Sequence, residues 1–463
     1  MAETLGPTHT TPPARPGPDS GLSHLLTAIF SGWKSQGIQF LILRNYEGLP
    51  AITTNDVDVL VLPSQRAEAE RVMIHLAGDA GYFLHNRVEF ATISYFFHHP
   101  ESLRQIQIDL FSSLRWHAFE VVSTETVLAR RLDRGLFDIP HPAHEAVLDL
   151  ITRLLYQGEV REKYRPIILA GFKAHSEVAR PLLEAAFGSG WAEVLVKESL
   201  REDWAALERA WKPLRRTLVW RRCSRHPWAT LKALCGDVAR GLRRVLQLGG
   251  MTVVILGADG SGKSTVGDRI IENLKNTFNP GKGLRVHWKP VVFFKSRRRS
   301  NTGPNVNPHG QKPRSRFASM LYLGGHWLEF VAGSFLVFFP ALFKNGLVLV
   351  DRYHYDFEVD PRRFRLQVPL WLVRGLFRFL KAPDLVFLCD APPEVLQSRK
   401  QEVPLAETRR QVEAYRCLAR RLPQGRVLDA TQPPDAVATE LTRQTLDAMR
   451  QRVARRMGVR KGG

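Results

Sequence analysis

The stretch Met251–Thr265 reads MTVVILGADGSGKST, and its residue types suit one task, holding a chain of phosphates. Glycines at 257, 260 and 262 let the backbone curl so that its N–H groups point into one concavity. Ser261 sits inside that curl. Lys263 has the reach and charge for β- and γ-phosphates, and the Ser264 hydroxyl is a hard oxygen ligand for Mg²⁺. Thr265 closes the run as a helix pattern begins, and a helix start adds a positive dipole end. Gly257, four residues, then Gly262-Lys263-Ser264 form a phosphate-binding loop, here between a β-branched apolar run and a helix. That context assigns nucleoside triphosphate binding to this part of the chain.

A second constellation lies near the start. Asn55–Leu62 reads NDVDVLVL, an alternation that puts Asp56 and Asp58 on one face of a strand and valines on the other. A later strand pattern, Arg104–Phe111, carries Asp109. Two carboxylates on one strand with a third from another suit a site for two metal ions, which must be neutralised and held about 4 Å apart. The plainer alternative is a set of solvated or turn-capping acids.

These residues need elements to position them. Thr252–Leu256, Gly346–Asp351 and Asp384–Asp390 are short apolar runs that read as buried strands, with Leu284–Trp288 and Arg426–Leu428 beside them. Helical patterns separate them, so an α/β domain is expected, a parallel sheet with helices on both faces. The first half pairs helix patterns (Leu22–Gln36, residues 64–80) with strand patterns (Ile38–Leu43, Tyr82–Phe90, Ile93–Phe97), an α+β arrangement. A helical extension from Pro142 to about Leu218 holds no catalytic constellation. The expected domains are a disordered tail over 1–20, an α+β domain with its extension over 21–211, a basic linker helix over 212–249, and the phosphate-loop domain over 250–457.

The net charge of +21 on 463 residues points to anionic partners: nucleotides, phosphorylated sugars, nucleic acid or an anionic membrane surface. The charge is clustered. Lys212–Arg244 holds ten Lys and Arg against Asp237, with Trp220 and Trp228 interleaved. A basic amphipathic helix with tryptophan suits peripheral contact with anionic lipid, and a solvated linker helix fits equally. Nucleic acid is disfavoured because no recognised reading module is present. Lys295–Arg316 is a Pro/Gly/Asn-rich loop with seven Lys and Arg and no acid, either a lid over an anionic substrate or an insertion.

Phe317–Phe343 is the most apolar stretch and is long enough to span a bilayer. Its Leu, Val and Phe side chains contribute roughly −4 kcal/mol to insertion, against about +3 for Glu329, with Gly, Ser and Pro340 also unfavourable. Buried or interfacial helices are therefore expected. Cys223, Cys235, Cys389 and Cys417 show no metal-ligand spacing, and residues 1–20 lack a basic region followed by an apolar core. A cytoplasmic location, with contact at the inner membrane face as an option, follows as an expectation.

The second half resembles the thymidylate kinase branch of the nucleoside monophosphate kinases. GADGSGKST, VLVDRYHYD, LCDAPPEVLQSRK and LDATQPPDAV carry the resemblance, in the family's order. It implies ATP and Mg²⁺ as cofactors, with Asp259 facing the acceptor. Asp351 would orient Mg²⁺ or the attacking group, Arg352 would hold the acceptor's phosphate, and Arg399 would belong to the closing lid. Thr431 and Gln432 would sit near the adenine. The family follows Asp-Arg-Tyr with residues that read thymine, whereas this chain has HYDFEVDPRR, so Arg362 and Arg363 suggest either a different anionic acceptor or a structural salt-bridge cluster. Residues 22–155 resemble the nucleotidyltransferase fold through Asp56, Asp58 and Asp109, which implies a second metal site there. The family's Gly-Ser pair is replaced by Arg44-Asn45. The whole chain is similar to thymidylate-kinase-like proteins associated with bacterial surface polysaccharide synthesis. A kinase acting on a nucleoside monophosphate or on a sugar or glycan intermediate is the first expectation. A true thymidylate kinase and an ATP-gated membrane scaffold without catalysis are the alternatives.

Overall fold

A computed structural model describes residues 2–4, 20–53, 56–279, 281–293, 312–401 and 403–458. The chain divides into two compact units, Pro12–Leu246 and a second made of Met1–Thr11 with Gln247–Gly463.

The second unit is built on a six-stranded sheet. Its order is Ala2–Thr4, Leu284–His287, Leu347–Asp351, Met251–Leu256, Leu385–Asp390, Gly425–Asp429. The last five run parallel and the first pairs antiparallel at the edge. Val254, Leu256, Val348, Val350, Val386 and Leu388 alternate into one core with Phe330, Phe357 and Leu418. Val253, Ile255, Leu349 and Phe387 are equally buried, so both sheet faces are covered. This explains why these strands are continuous apolar runs. The phosphate-loop strand Met251–Leu256 lies between Leu347–Asp351 and Leu385–Asp390, where the strand order reverses. Crevices open at the carboxyl ends of strands at such a point.

Two sequence expectations need correction here. Residues 1–20 are not disordered throughout: Ala2–Thr4 adds an edge strand to Leu284–Val286. An open sheet edge offers unpaired backbone groups to any extended segment, whatever its side chains. Residues 5–19 lie outside the described residues. The basic stretch 212–249 is not one linker helix. It forms two helices, Trp211–Arg225 and Pro227–Leu246, which belong to the first unit, and Leu214 and Leu218 are buried in that unit's core. Pro227 disfavours helical geometry at His226, whose φ is −135°.

The apolar stretch forms one continuous helical run. Arg316–Gly333 passes through a wider turn at Ser334–Phe338 into Phe339–Phe343. By length and composition alone it could cross a bilayer. One side of it is nevertheless core: Leu323, Phe330, Phe338 and Leu342 are buried. Glu329 is fully buried and accepts from the backbone N–H groups of Val292 at 2.5 Å and Phe293 at 3.2 Å. Most of the basic loop before it, including Lys295, Arg297, Arg298 and Arg299, lies outside the described residues.

His354 marks a pH-sensitive point in this core. Its ring stacks on Phe377 at 4.6 Å, and burial pushes its pKa down to about 3. The unfolded chain takes up a proton near pH 6.5 that the folded chain refuses, so stability falls as pH drops below that value. Between pH 7 and 5 the loss is expected to be about 2 kcal/mol. Urea midpoints of the parent and His354→Phe at both pH values measure it; the variant should lose that much less on acidification.

The first unit holds a five-stranded mixed sheet ordered Phe40–Ile42, Val57–Val61, Gln105–Phe111, Ile93–His98, Phe83–Glu89. Helix Ser20–Ser35 buries Leu25, Leu26, Ile29, Phe30 and Trp33 against it, the face its spacing implies. Val57–Val61 runs parallel to Gln105–Phe111, and the register sets Asp58 beside Asp109. Helices Pro142–Tyr156, Arg165–Phe187 and Ser189–Leu200 build a separate core next to the sheet.

Candidate active site

The phosphate loop leaves the strand at Gly257 and turns at Gly260 and Gly262, with φ of +149°, +88° and +78°. Gly262 is the left-handed residue that starts helix Lys263–Asn273. A Cβ on Gly260 would lie 2.7 Å from the Leu396 carbonyl oxygen, so glycine is required by space as well as by angle. Gly260→Ala is expected to weaken nucleotide affinity about tenfold or more, measured by titration calorimetry. Lys263 Nζ donates to the Gly257 and Ala258 carbonyls, each at 2.8 Å. Burial pushes its pKa down to about 8, with Arg352 adding repulsion. Ser261 is buried beneath the loop, while Ser264 and Thr265 lie exposed on the first helical turn.

Asp351 ends the neighbouring strand, and its Oδ2 accepts from Arg285 at 3.0 Å. Asp351 Oδ1 is buried with no hydrogen-bond partner among the described residues. It lies 3.4 Å from where a Gly267 Cβ would stand, on the helix that also carries Ser264. A buried carboxylate oxygen left open, with a hydroxyl on the facing helix, is a donor set that fits Mg²⁺. Arg285 fixes the other oxygen and also donates to the Ser264 carbonyl at 3.1 Å.

Asp259 lies inside the loop with two guanidiniums on it. Arg352 bonds its Oδ1, and Arg363 donates to its Oδ2 at 3.0 Å. Arg352 has φ +72° and reaches Asp356 at 3.0 Å with its other arm. Burial alone would lower the Arg352 pKa, but Asp356, Tyr415 and Asp259 together hold it well above the usual range. Tyr415 donates to the second oxygen of buried Asp356 at 2.9 Å. Trp288 and Phe364 stack at 5.3 Å, and the Trp288 indole N–H is buried without a partner among the described residues.

In the first unit, Asp56, Asp58 and Asp109 bring one oxygen each within 4.8 Å of one another. Arg44 donates to Asp58 Oδ2 at 2.5 Å, and Asp58 Oδ1 is buried without a partner among the described residues. Burial raises the Asp58 pKa and pushes that of Asp109 up to about 7, opposed by bonds from Gln107 and Ser94.

No family model matches the chain. A probable thymidylate kinase of Methanosarcina barkeri is 31% identical over 150 residues, 32% of this chain and 67% of that protein. A second, from Methanosarcina acetivorans, is 32% identical over 154 residues, 32% of this chain and 69% of that protein. The chain belongs to the thymidylate kinase family. A thymidylate kinase of an Exiguobacterium species is 27% identical over 217 residues, 44% of this chain and 98% of that protein.

Of the thymidylate kinase motif residues, Asp259, Lys263, Asp351 and Arg352 lie at the ends of two adjacent strands. Arg399 ends helix Pro393–Arg399, whose Leu396 carbonyl lies against Gly260 of the loop. It donates to the Ala430 carbonyl at 2.8 Å, next to the turn in which Thr431 and Gln432 donate to Asp429. Arg362 and Arg363 separate: Arg363 reaches Asp259, while Arg362 is exposed and 3.9 Å from Glu407. Only Arg363 of the pair reaches the loop, because neighbours on a turn point apart. Arg285, Asp356 and Tyr415 were not assigned to the site from the sequence. Arg285 could have been found as the one cation on a strand set beside the Asp351 strand.

Proposed function

We propose that the chain is an ATP- and Mg²⁺-dependent phosphotransferase whose acceptor already carries a phosphate. The observation that carries this reading is the convergence of Arg352 and Arg363 on Asp259, inside a loop whose Lys263 faces the donor. The names of the relatives make thymidine monophosphate the reference acceptor. The run after Tyr353 lacks that family's thymine-reading residues, which favours a phosphorylated sugar or glycan intermediate of cytoplasmic surface-polysaccharide assembly.

In this reading the loop N–H groups and Lys263 hold the β- and γ-phosphates. Ser264 and Asp351 are the residues that would hold Mg²⁺, which supplies charge neutralisation at the transferring phosphoryl. Arg352 and Arg363 leave Asp259 to take the acceptor's phosphate. An acceptor oxygen then bonds to the γ-phosphorus as the bond to the ADP oxygen breaks. No covalent intermediate on the protein is required, because positioning and charge carry such transfers. Turnover with thymidine monophosphate, sugar phosphates and a glycolipid extract tests the acceptor. Label in thymidine monophosphate alone would sink the glycan reading and leave a true thymidylate kinase.

A second reading applies to the first unit. The three clustered carboxylates and the open Asp58 oxygen favour a divalent cation site on a nucleotidyltransferase-like sheet. Manganese binding followed by electron paramagnetic resonance should show a site that Asp109→Asn removes and Lys263→Ala leaves in place. Loss of no site in Asp109→Asn would sink it.

A further inference from the structure

One side of the helical run Arg316–Phe343 is core, but the other is apolar and uncovered. Phe317, Leu321, Leu328 and Phe335 follow one another at intervals of four and seven residues, one stripe of an α-helix, and all are at least 53% exposed. Helix Leu370–Phe377 packs against this run, and Trp371 on it and Phe379 just beyond it are 72% and 78% exposed. Large apolar side chains at this density are not ordinary surface.

The exposed charge beside them is mainly positive. Residues 361–383 carry five Arg and one Lys with no acid, although Arg363 and Arg374 are paired with Asp259 and Glu358. Residues 312–344 carry Lys312, Arg314, Arg316 and Lys344 against Glu329, which is buried and bonded to backbone N–H groups. The exposed cations Arg316 and Lys344 bracket the long helix, and Arg378 and Lys381 flank the end of the short one.

We propose that this face docks on an anionic phospholipid bilayer, with the aromatic stripe at the acyl boundary and the flanking Arg and Lys among the headgroups. Charge complementarity selects this occupant. In a two-fold pairing of two copies the same patch meets itself, and its cations would face one another with no acid to offset them. A bilayer span is inconsistent with the buried side of the same helix and with Glu329. The docking face is distinct from the basic helices Trp211–Arg225 and Pro227–Leu246 of the first unit, and the proposal does not rest on the identity of the acceptor.

The test is flotation of the full chain with vesicles of phosphatidylcholine containing about 30% phosphatidylglycerol, against pure phosphatidylcholine. Binding to the anionic vesicles is expected, weakened by about 0.5 M salt and released by alkaline carbonate. The combined variant Phe317→Ser, Leu321→Ser, Phe335→Ser and Trp371→Ser should lower bound protein about tenfold or more. These side chains are exposed, so the variant should keep the parent's thermal midpoint and ATP affinity, which are measured alongside. Flotation unchanged in the folded variant would overturn the proposal. So would no flotation of the parent, resistance to carbonate, or self-association that the variant abolishes without any vesicle binding.

Discussion

Lys263→Ala is expected to lower ATP-dependent phosphoryl transfer about 10³-fold, a barrier increase of about 4 kcal/mol. The side chain is half-buried, and burial with repulsion from Arg352 lowers its pKa to about 8. A charge partly withdrawn from water acts on phosphate more strongly than one in bulk solvent. The side chain lies along the loop with Nζ at 2.8 Å from the Gly257 and Ala258 carbonyls. Truncation leaves no stranded charge, because the charge itself is removed. The cost to folding is limited to about 1 kcal/mol for the two carbonyls that lose a donor. Steady-state turnover, nucleotide affinity and thermal midpoint together separate these effects. A variant with parental turnover would show that the loop is not the donor site.

Arg352→Ala should raise the KM for the acceptor about 10²-fold while leaving ATP affinity within about threefold of the parent, since under the proposed function it would remove two charge-assisted bonds to the acceptor phosphate. The guanidinium spans Asp259 and Asp356 and is held at the strand end by its backbone N–H on the Ile255 carbonyl at 3.0 Å. Deleting it leaves the fully buried Asp356 without its counter-ion, while Asp259 keeps Arg363, and about 3–5 kcal/mol of stability should go with it. Arg352→Lys separates the two effects. It restores the charge and most of the stability, but its single ammonium cannot bridge two partners, so KM should remain raised about tenfold. An unchanged KM in Arg352→Lys would place the acceptor elsewhere.

The reach of the sequence follows the range of the physics involved. Gly257 to Ser264 could be read directly because loop geometry is local: each glycine answers a backbone angle within a few residues. Asp351 and Arg352 followed because an apolar strand must end where its polar residues begin. Asp58 and Asp109 could be grouped from strand alternation, but their side-by-side placement depends on parallel register between strands 50 residues apart. Arg285 escaped notice for the same reason. It is an unremarkable cation on a short strand until register sets His287 beside Asp351. Asp356 and Tyr415 are joined across 59 residues by a buried hydrogen bond that no periodicity encodes. The basic helices were misjudged because charge density concealed Leu214 and Leu218, two small apolar anchors that bind the first of them to a core.

The account stands on phosphoryl transfer from ATP by the second unit. The most direct measurement is incubation of the full chain with γ-labelled ATP, Mg²⁺ and pooled nucleoside monophosphates, sugar phosphates and membrane glycolipid, with Lys263→Ala in parallel. The account predicts label in one acceptor class, lost with Lys263→Ala. ATP bound with normal affinity but label in no acceptor would contradict it, and would leave the loop as a nucleotide-gated switch.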